Sequence, residues 1–279
     1  MDAVLHGIAP GDEQVAAYLN AFHRRMPGIT SEVMLGLRSR DGYTSYEVIA
    51  ERVAASAPAA ILDVGCGDGR LLAELHARSP HTKLAGIDTS AEEIALAIAL
   101  LTEAGADLHV GSASALPYPD AAFTAVVAHL VFMLIPRIDA ALREAHRVLA
   151  PGGTFAFLLP RPPKKATSLT ELLGKLTRKI AIRYPESSFA VINNRALSER
   201  FAIAGLLSHA GFTTLPTFED FEVGAMLDGE MLWRAISGRY IFGSLDDELT
   251  AELEKIVLDA AANGRFDFRE PLRLVSILR

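Results

Sequence analysis

A chain of 279 residues that is 50% hydrophobic can bury a full core, as one large α/β domain or one domain with a smaller cap. Its net charge of -7 argues against a broad phosphate-neutralising surface, and so against nucleic acid as a partner. Cys66 is the single cysteine, which rules out an intramolecular disulfide and fits a reducing, cytoplasmic compartment. Met1 to His6 lacks a basic start followed by a sustained apolar run, so no secretory leader is expected. The longest apolar stretch near the middle, Leu130 to Ile135, is far too short to span a bilayer.

Residues 1–57 read as helical. Glu13 to Arg25 carries an apolar stripe of Val15, Ala16, Leu19 and Phe22. Thr44-Ser45-Tyr46-Glu47 has the form of a capping box, and Val48, Ile49 and Val53 continue the helix behind it. Pro27-Gly28-Ile29-Thr30 and Arg40-Asp41-Gly42 are turn signals between them. Helices ahead of a first strand cannot extend a parallel sheet. They pack on its rim, where they form a lid, and Tyr18, His23, Tyr43 and Tyr46 are its candidate ligand-facing side chains. Packing with a satisfied polar tip is the plainer role for any one of them.

Residues 58–160 alternate strands and helices. Ala60 to Val64 is a first strand, Lys83 to Asp88 a second, Asp107 to Val110 a third, and Phe123 to Ala128 a fourth. The fourth is a continuous apolar run of the kind buried on both faces of a parallel sheet. Ser90 caps a helix running to about Glu103; a second helix, Arg137 to Leu149, ends at Pro151-Gly152-Gly153 before a fifth strand, Thr154 to Leu159. This alternation predicts an α/β fold with a doubly wound parallel sheet, whose ligands bind at the carboxyl edge of the strands.

Composition shifts at Arg161. From there to Arg183 stand seven basic residues and one acid, Glu171. Ser168-Leu169-Thr170-Glu171 caps a helix with Leu169, Leu172, Leu173, Leu176 and Ile180 on one stripe. This segment, 161–195, reads as a basic amphipathic cap with a solvated face; an anionic membrane surface or an acidic carrier are its alternative partners. The remainder, 196–279, returns to the core with a helix over Leu197–Gly211, a strand over Thr213–Val223, and a closing strand from Pro271. A helical insertion at about 225–265 has its second helix capped near Ser244 and Asp246. Met226 and Trp233 are among the insertion's large apolar side chains, candidates for the wall of an acceptor pocket.

The chemistry is concentrated between strand one and the helix after it, where Asp63-Val64-Gly65-Cys66-Gly67-Asp68-Gly69 places glycines on alternate positions. Such glycines let the backbone turn tightly and approach a ligand. Asp88 follows Gly69 by nineteen positions, the distance at which an acid closing the second strand accepts hydrogen bonds from an adenosine ribose. A dinucleotide turn needs a glycine where Arg70 stands, and an acid inside the strand, Asp63, would repel a pyrophosphate. That acid suits an ammonium group instead. Adenosine at one end and an amino-acid moiety at the other describe S-adenosylmethionine (SAM).

At these residues the chain resembles the class I SAM-dependent methyltransferases, especially those of ubiquinone and menaquinone biosynthesis and related bacterial small-molecule enzymes. The resemblance covers Pro58 to Leu159 and rests on four ordered motifs: Ile61 to Gly69, Gly86-Ile87-Asp88, Leu116 to Phe123, and Arg147 to Gly153. It resumes more weakly at Leu206 to Phe212. It implies a seven-stranded Rossmann-like sheet whose last two strands are antiparallel, with SAM as donor and S-adenosylhomocysteine as product. By that likeness Asp63, Gly65 and Gly67 face the methionyl part, Cys66 and Gly69 belong to the same cofactor-binding turn, Asp88 holds the ribose, and Thr89, Ser112 and Ala113 adjoin the adenine. His129 and Leu130, just past strand four, lie near the transferred methyl. Ser112 stands where many relatives carry an acid, and Thr124 where they often carry Asp.

With an activated donor, catalysis needs in-line positioning and, for some acceptors, a base. His129 has the best address for a base near neutrality and His23 is second. No His, Cys, Asp or Glu set has metal-ligand spacing. The sequence therefore points to a cytoplasmic enzyme that methylates a small, largely apolar metabolite on oxygen or carbon. Three readings stay open beside it: a SAM-binding enzyme that uses the sulfonium for a non-methylating reaction, a macromolecule methyltransferase, and a non-catalytic binding partner. Oligomeric state is not legible.

Overall fold

The computed structural model describes residues 12–185, 197–243, 245–262 and 264–279. Ahead of the sheet stand α1 (Asp12–Arg25), α2 (Ile29–Leu35) and α3 (Ser45–Ala54). The core then runs β1 (Ala60–Val64), α4 (Arg70–Arg78), β2 (Lys83–Asp88), α5 (Ala91–Leu100), β3 (Asp107–Val110), β4 (Phe123–His129), α6 (Ile138–Val148) and β5 (Leu149–Pro160). After it come α7 (Ser168–Arg183), α8 (Arg200–His209), β6 (Thr217–Leu227), α9 (Gly229–Ser237), α10 (Asp247–Ala260) and β7 (Phe266–Leu278). The strands form one seven-stranded sheet in the order β3-β2-β1-β4-β5-β7-β6, with β7 antiparallel to both neighbours. The expected doubly wound, Rossmann-like sheet is the one observed. Its order reverses at β1 and β4, and it is at the carboxyl ends of strands at such a reversal that ligands of doubly wound sheets bind.

Each face of the sheet carries its own apolar core. One is built with α3, α4, α5, α7, α9 and α10, from side chains such as Ile49, Leu72, Ile94, Leu176, Leu232 and Leu253. The other is built with α6 and α8, from Leu142, Ala145, Ile203 and Leu207 against Phe155 and Phe157. Two of the family-like motifs serve this framework rather than a ligand. Thr124 Oγ1 accepts from the backbone of Ala59 (2.9 Å) and Ala60 (3.1 Å), tying β4 to the entry of β1. Arg147 on α6 donates to the carbonyls of Tyr118 (2.7 Å) and Leu116 (3.1 Å) and to Asp120 (2.9 Å), which pins the Leu116–Phe123 segment.

Several boundaries differ from the sequence-based expectation. The Pro27–Thr30 turn is followed at once by a short helix, α2, entered through Gly28 in the left-handed region at φ 70°. β5 begins at Leu149 rather than Thr154, because Phe123 pairs with Leu149 before the register shifts. α8 is shorter than Leu197–Gly211, and β6 starts later and ends later than Thr213–Val223. β7 begins at Phe266, ahead of Pro271. That proline stands at the end of the pairing with β5: Arg161 N–H still donates to the Pro271 carbonyl at 3.0 Å, and with no N–H to return the bond the ladder stops there. β6 and β7 therefore run on together, past the end of β5, as a two-stranded arm above the carboxyl edge.

The basic helix α7 is capped by Thr167 and Thr170, one position ahead of Ser168. Its apolar stripe is buried, and on its other side Lys179 pairs with Glu252 while Arg183 and Tyr184 reach Asp246 at 3.1 and 2.8 Å. Two of the seven basic residues thus hold α10. Asp246 also caps α10, accepting from Leu249 at 2.8 Å; Ser244 and the end of the 161–195 segment lie outside the described residues. Among the described residues no helix is long and apolar enough to cross a membrane.

Candidate functional site

Leaving β1, the chain folds back on the end of β2: the N–H groups of Gly65 and Cys66 both donate to the Ile87 carbonyl, at 2.7 and 3.0 Å. Gly65, Gly67 and Gly69 take positive φ values of 71°, 52° and 82°, a region that costs other residues roughly 1–2 kcal/mol each. At Gly65 there is no space either, since a Cβ would stand 2.5 Å from Cγ2 of Val131. Gly65→Ala is expected to weaken cofactor binding at least tenfold in calorimetry, from these two costs together; affinity within twofold of native would show that the turn is not part of the site.

Four carboxylates surround this turn. Asp63, on β1, is 1% exposed and its Oδ1 has no hydrogen-bond partner among the described residues. Burial, with Asp88 and Asp68 nearby, pushes its carboxyl well above the usual range. Asp88, ending β2, accepts from the backbone N–H of Gly67 through Oδ2 (3.0 Å) and of Ser90 through Oδ1 (2.9 Å). Burial raises it too, against the effect of those two donors. Asp68 accepts the Ser31 hydroxyl from α2. Glu93, in the first turn of α5, is 3% exposed and accepts from His23 Nδ1 (2.6 Å) and the Gly28 N–H (2.9 Å). A buried acid oxygen without a donor costs about 1–3 kcal/mol or more. The cradle is thus built for a cation with hydrogen-bond donors, and an amino-acid ammonium joined to a ribose fits it. Among the described residues no group of His, Cys, Asp and Glu could hold a metal ion.

At the next strand end, Leu130 turns the chain with φ 58°, a left-handed conformation unusual for leucine, and so lays Val131 on Gly65. His129, one residue earlier, is buried. Its Nε2 shares a hydrogen bond of 2.8 Å with the Ser45 hydroxyl, and its ring stacks on Tyr46 with centroids 4.0 Å apart. Burial pushes the imidazole down to about 3, so it is neutral across the physiological range. The capping box read in the sequence explains the approach of α3: Thr44 and Glu47 exchange hydrogen bonds of 2.7 and 3.1 Å, and this fixes Ser45 and Tyr46 in the first turn.

The roof is a joint between distant parts of the chain. Tyr18 donates to the Tyr240 carbonyl, His23 Nε2 lies 3.1 Å from the Tyr240 hydroxyl, and the Phe22 and Tyr240 rings are 4.7 Å apart. Arg25 donates to the Gly243 carbonyl, and Arg234 of α9 holds Glu32 of α2 through two bonds of 2.8 and 2.7 Å. The structure thus ties His23 to Glu93 of the cradle, Tyr18 to Tyr240 of the insertion, and Tyr46 to His129. Tyr43 is 54% exposed and Met226 47% exposed, and neither belongs to the buried cluster; Trp233 packs half-buried on the first core. Ser112 is exposed and accepts from Ser114 N (3.2 Å), just past the end of β3, where Gly111 donates to the Asp88 carbonyl; Thr89 and Ala113 are half-buried nearby in the chain. Cys66 is a buried filler whose sulfur would touch a Cβ on Gly86 at 2.9 Å, and burial pushes its thiol up. Glu93, Ser31, Ser45, Val131 and the role of Tyr240 were not foreseen. Only Glu93 gave any signal, as a second acid behind a helix cap.

Residues 62–157 match the methyltransferase-domain family. The demethylmenaquinone methyltransferase of Thermus thermophilus is 31% identical over 183 residues, 62% of this chain and 83% of the relative. The ubiquinone/menaquinone biosynthesis C-methyltransferase of Rubrivivax gelatinosus is 33% identical over 162 residues, 56% of this chain and 63% of the relative. Among solved structures, the [4+2]-cyclase SpnF superposes with a TM-score of 0.60 over 97% of both chains at 21% identity, a likeness of fold.

Proposed function

We propose that this chain, which belongs to the class I SAM-dependent methyltransferases, methylates a small, largely apolar metabolite on oxygen or carbon. The observation that carries the reading is the four-acid cradle with the buried Oδ1 of Asp63, which has no partner among the described residues, roofed by the joined lid and insertion. A roof held by this many contacts favours a small acceptor over a macromolecule. Met34, Leu37, Tyr46, Val223, Leu232 and Phe268 are packed into the core on this side of the sheet, so the surroundings of the site are apolar, in keeping with an aromatic or prenyl-like acceptor. The names of the quinone-pathway relatives support the same class.

When bound, SAM supplies a methyl group already activated by its sulfonium. Asp63 balances the ammonium, Asp88 accepts from the ribose hydroxyls, and the turn at Gly65 brings the backbone close. The lid excludes water and holds the acceptor in line, which can contribute several kcal/mol. Burial makes His129 a weak base, with its pKa held down to about 3, and its Nε2 is already occupied by Ser45. Its role on this reading is to hold Tyr46 and Ser45 in place, so an acceptor that ionises easily, such as a phenol or an acidic carbon, suits the site.

The test is a mass-spectrometric screen of quinol, phenol and prenyl-like metabolites with the purified chain and SAM. A product heavier by one methyl, formed with S-adenosylhomocysteine in equal amount, is the expected result. Acceptor turnover with SAM left whole would overturn methyl transfer in favour of a non-methylating reaction.

A further inference from the structure

We propose that Glu93 is itself a cofactor-binding residue, whose carboxylate holds the lid with one oxygen and a ribose hydroxyl of the bound nucleoside with the other. The inference rests on the cradle being a SAM site and adds a residue and a coupling to it. Glu93 is fixed at the start of α5, where its N–H is held by the Ser90 cap at 3.3 Å. Oε1 is fully used by the lid: His23 Nδ1 approaches from α1 and the Gly28 N–H from the entry of α2. Oε2 takes no hydrogen bond among the described residues, and it faces Gly67, 3.7 Å from where a Cβ of that residue would stand. The N–H of the same Gly67 is held by Asp88. Two carboxylates therefore flank one glycine of the cradle, Asp88 on the core side and Glu93 tied to the lid.

That placement makes Glu93 a bridge. A nucleoside hydroxyl that satisfies Oε2 also fixes the carboxylate plane, and with it the two lid donors on Oε1. His23 passes the connection on through Nε2 to the Tyr240 hydroxyl, and Tyr240 is held by Tyr18 and Phe22. Lid and insertion therefore close on the core through the residue that reads the nucleoside. Without Glu93, Ser31–Asp68 is the one hydrogen bond left between the lid and the cradle carboxylates among the described residues, so a cofactor bound by Asp88 alone leaves the roof loose.

Calorimetry and amide hydrogen exchange on the full chain, with S-adenosylhomocysteine as probe, test this. The native chain is expected to bind, and binding to slow exchange in residues 12–35 and 229–243. Glu93→Gln is expected to bind at least tenfold more weakly and, even at saturation, to leave those amides unprotected. Native-like binding and protection in Glu93→Gln would overturn the proposal. Should that variant not fold, the native chain saturated with the 2′-deoxy and 3′-deoxy analogues decides: at least one must leave the lid unprotected, and full protection by both overturns the bridge. Absence of binding by the native chain would instead sink the cofactor reading on which the inference rests.

Discussion

Asp88→Ala is expected to weaken S-adenosylhomocysteine binding by a hundredfold or more, measured by calorimetry. Two charge-assisted hydrogen bonds to ribose hydroxyls, at roughly 1.5–3 kcal/mol each, correspond to about 10² to 10⁴ in affinity. The carboxylate also organises the site, because it holds the N–H groups of Gly67 and Ser90 at 3.0 and 2.9 Å. Its removal therefore loosens the glycine turn and the start of α5 together. Asp88→Asn, which keeps one acceptor oxygen but no charge, is expected to fall between native and alanine. Affinity in Asp88→Ala within threefold of native would mean that the ribose is held elsewhere and that the spacing from Gly69 to Asp88 has no functional meaning.

That spacing was legible because it is local. β1, the glycine turn, α4 and the acid ending β2 lie within a single βαβ unit, where sequence distance fixes spatial distance. The capping box at Thr44 was legible for the same reason, and so was His129 at the end of a buried strand. The roof was not. Tyr240 reaches Tyr18 and His23 across more than 200 residues of sequence, and Ser45 meets His129 across 84. Nothing in either local pattern records such a meeting. The β6–β7 arm was missed in part because Pro271 reads as a strand start; it sits inside the strand at the point where pairing with β5 stops, and pairing with β6 runs on past it. Leu130 was named as a neighbour of the methyl, yet its left-handed turn, which lays Val131 on Gly65, has no signature in a run of apolar residues.

These long-range contacts also change what the charged residues mean. A basic stretch such as 161–183 invites an anionic partner when read alone, but in the fold Lys179 and Arg183 are spent on α10. The acids around the glycine turn show the opposite case. Asp68 and Glu93 look like ordinary polar residues of a turn and a helix start, yet each takes a donor from the N-terminal segment. Among the described residues, the hydrogen bonds from α1, α2 and the turn between them to the cradle end on its carboxylates, which links lid closure to the charge and hydroxyls of whatever lies there.

Acidification should destabilise the fold through His129, and the size of the effect follows from its burial. The imidazole is held at about 3 in the folded chain, against an unfolded value near 6.5. The unfolded chain therefore binds a proton that the folded one refuses. The stability this group contributes is intact above about pH 6.5 and is lost as pH falls from there toward 3. Between pH 7.5 and 4.5 the loss from this one residue is about 2.5 kcal/mol, at ~1.4 kcal/mol per pH unit. Asp63 works in the other direction: its raised carboxyl favours the folded state at low pH, and that contribution fades as pH rises. The two are separated by comparing the native chain with His129→Gln, in which Asp63 is unchanged. In urea titrations the stability difference between native and variant should shrink by about 2.5 kcal/mol on going from pH 7.5 to 4.5. A difference that stays constant would place His129 in contact with water, and so within reach of an acceptor's proton. A kcat/KM profile showing a histidine-like ionisation in the native chain, absent from His129→Gln, would have the same meaning and would restore His129 as the base.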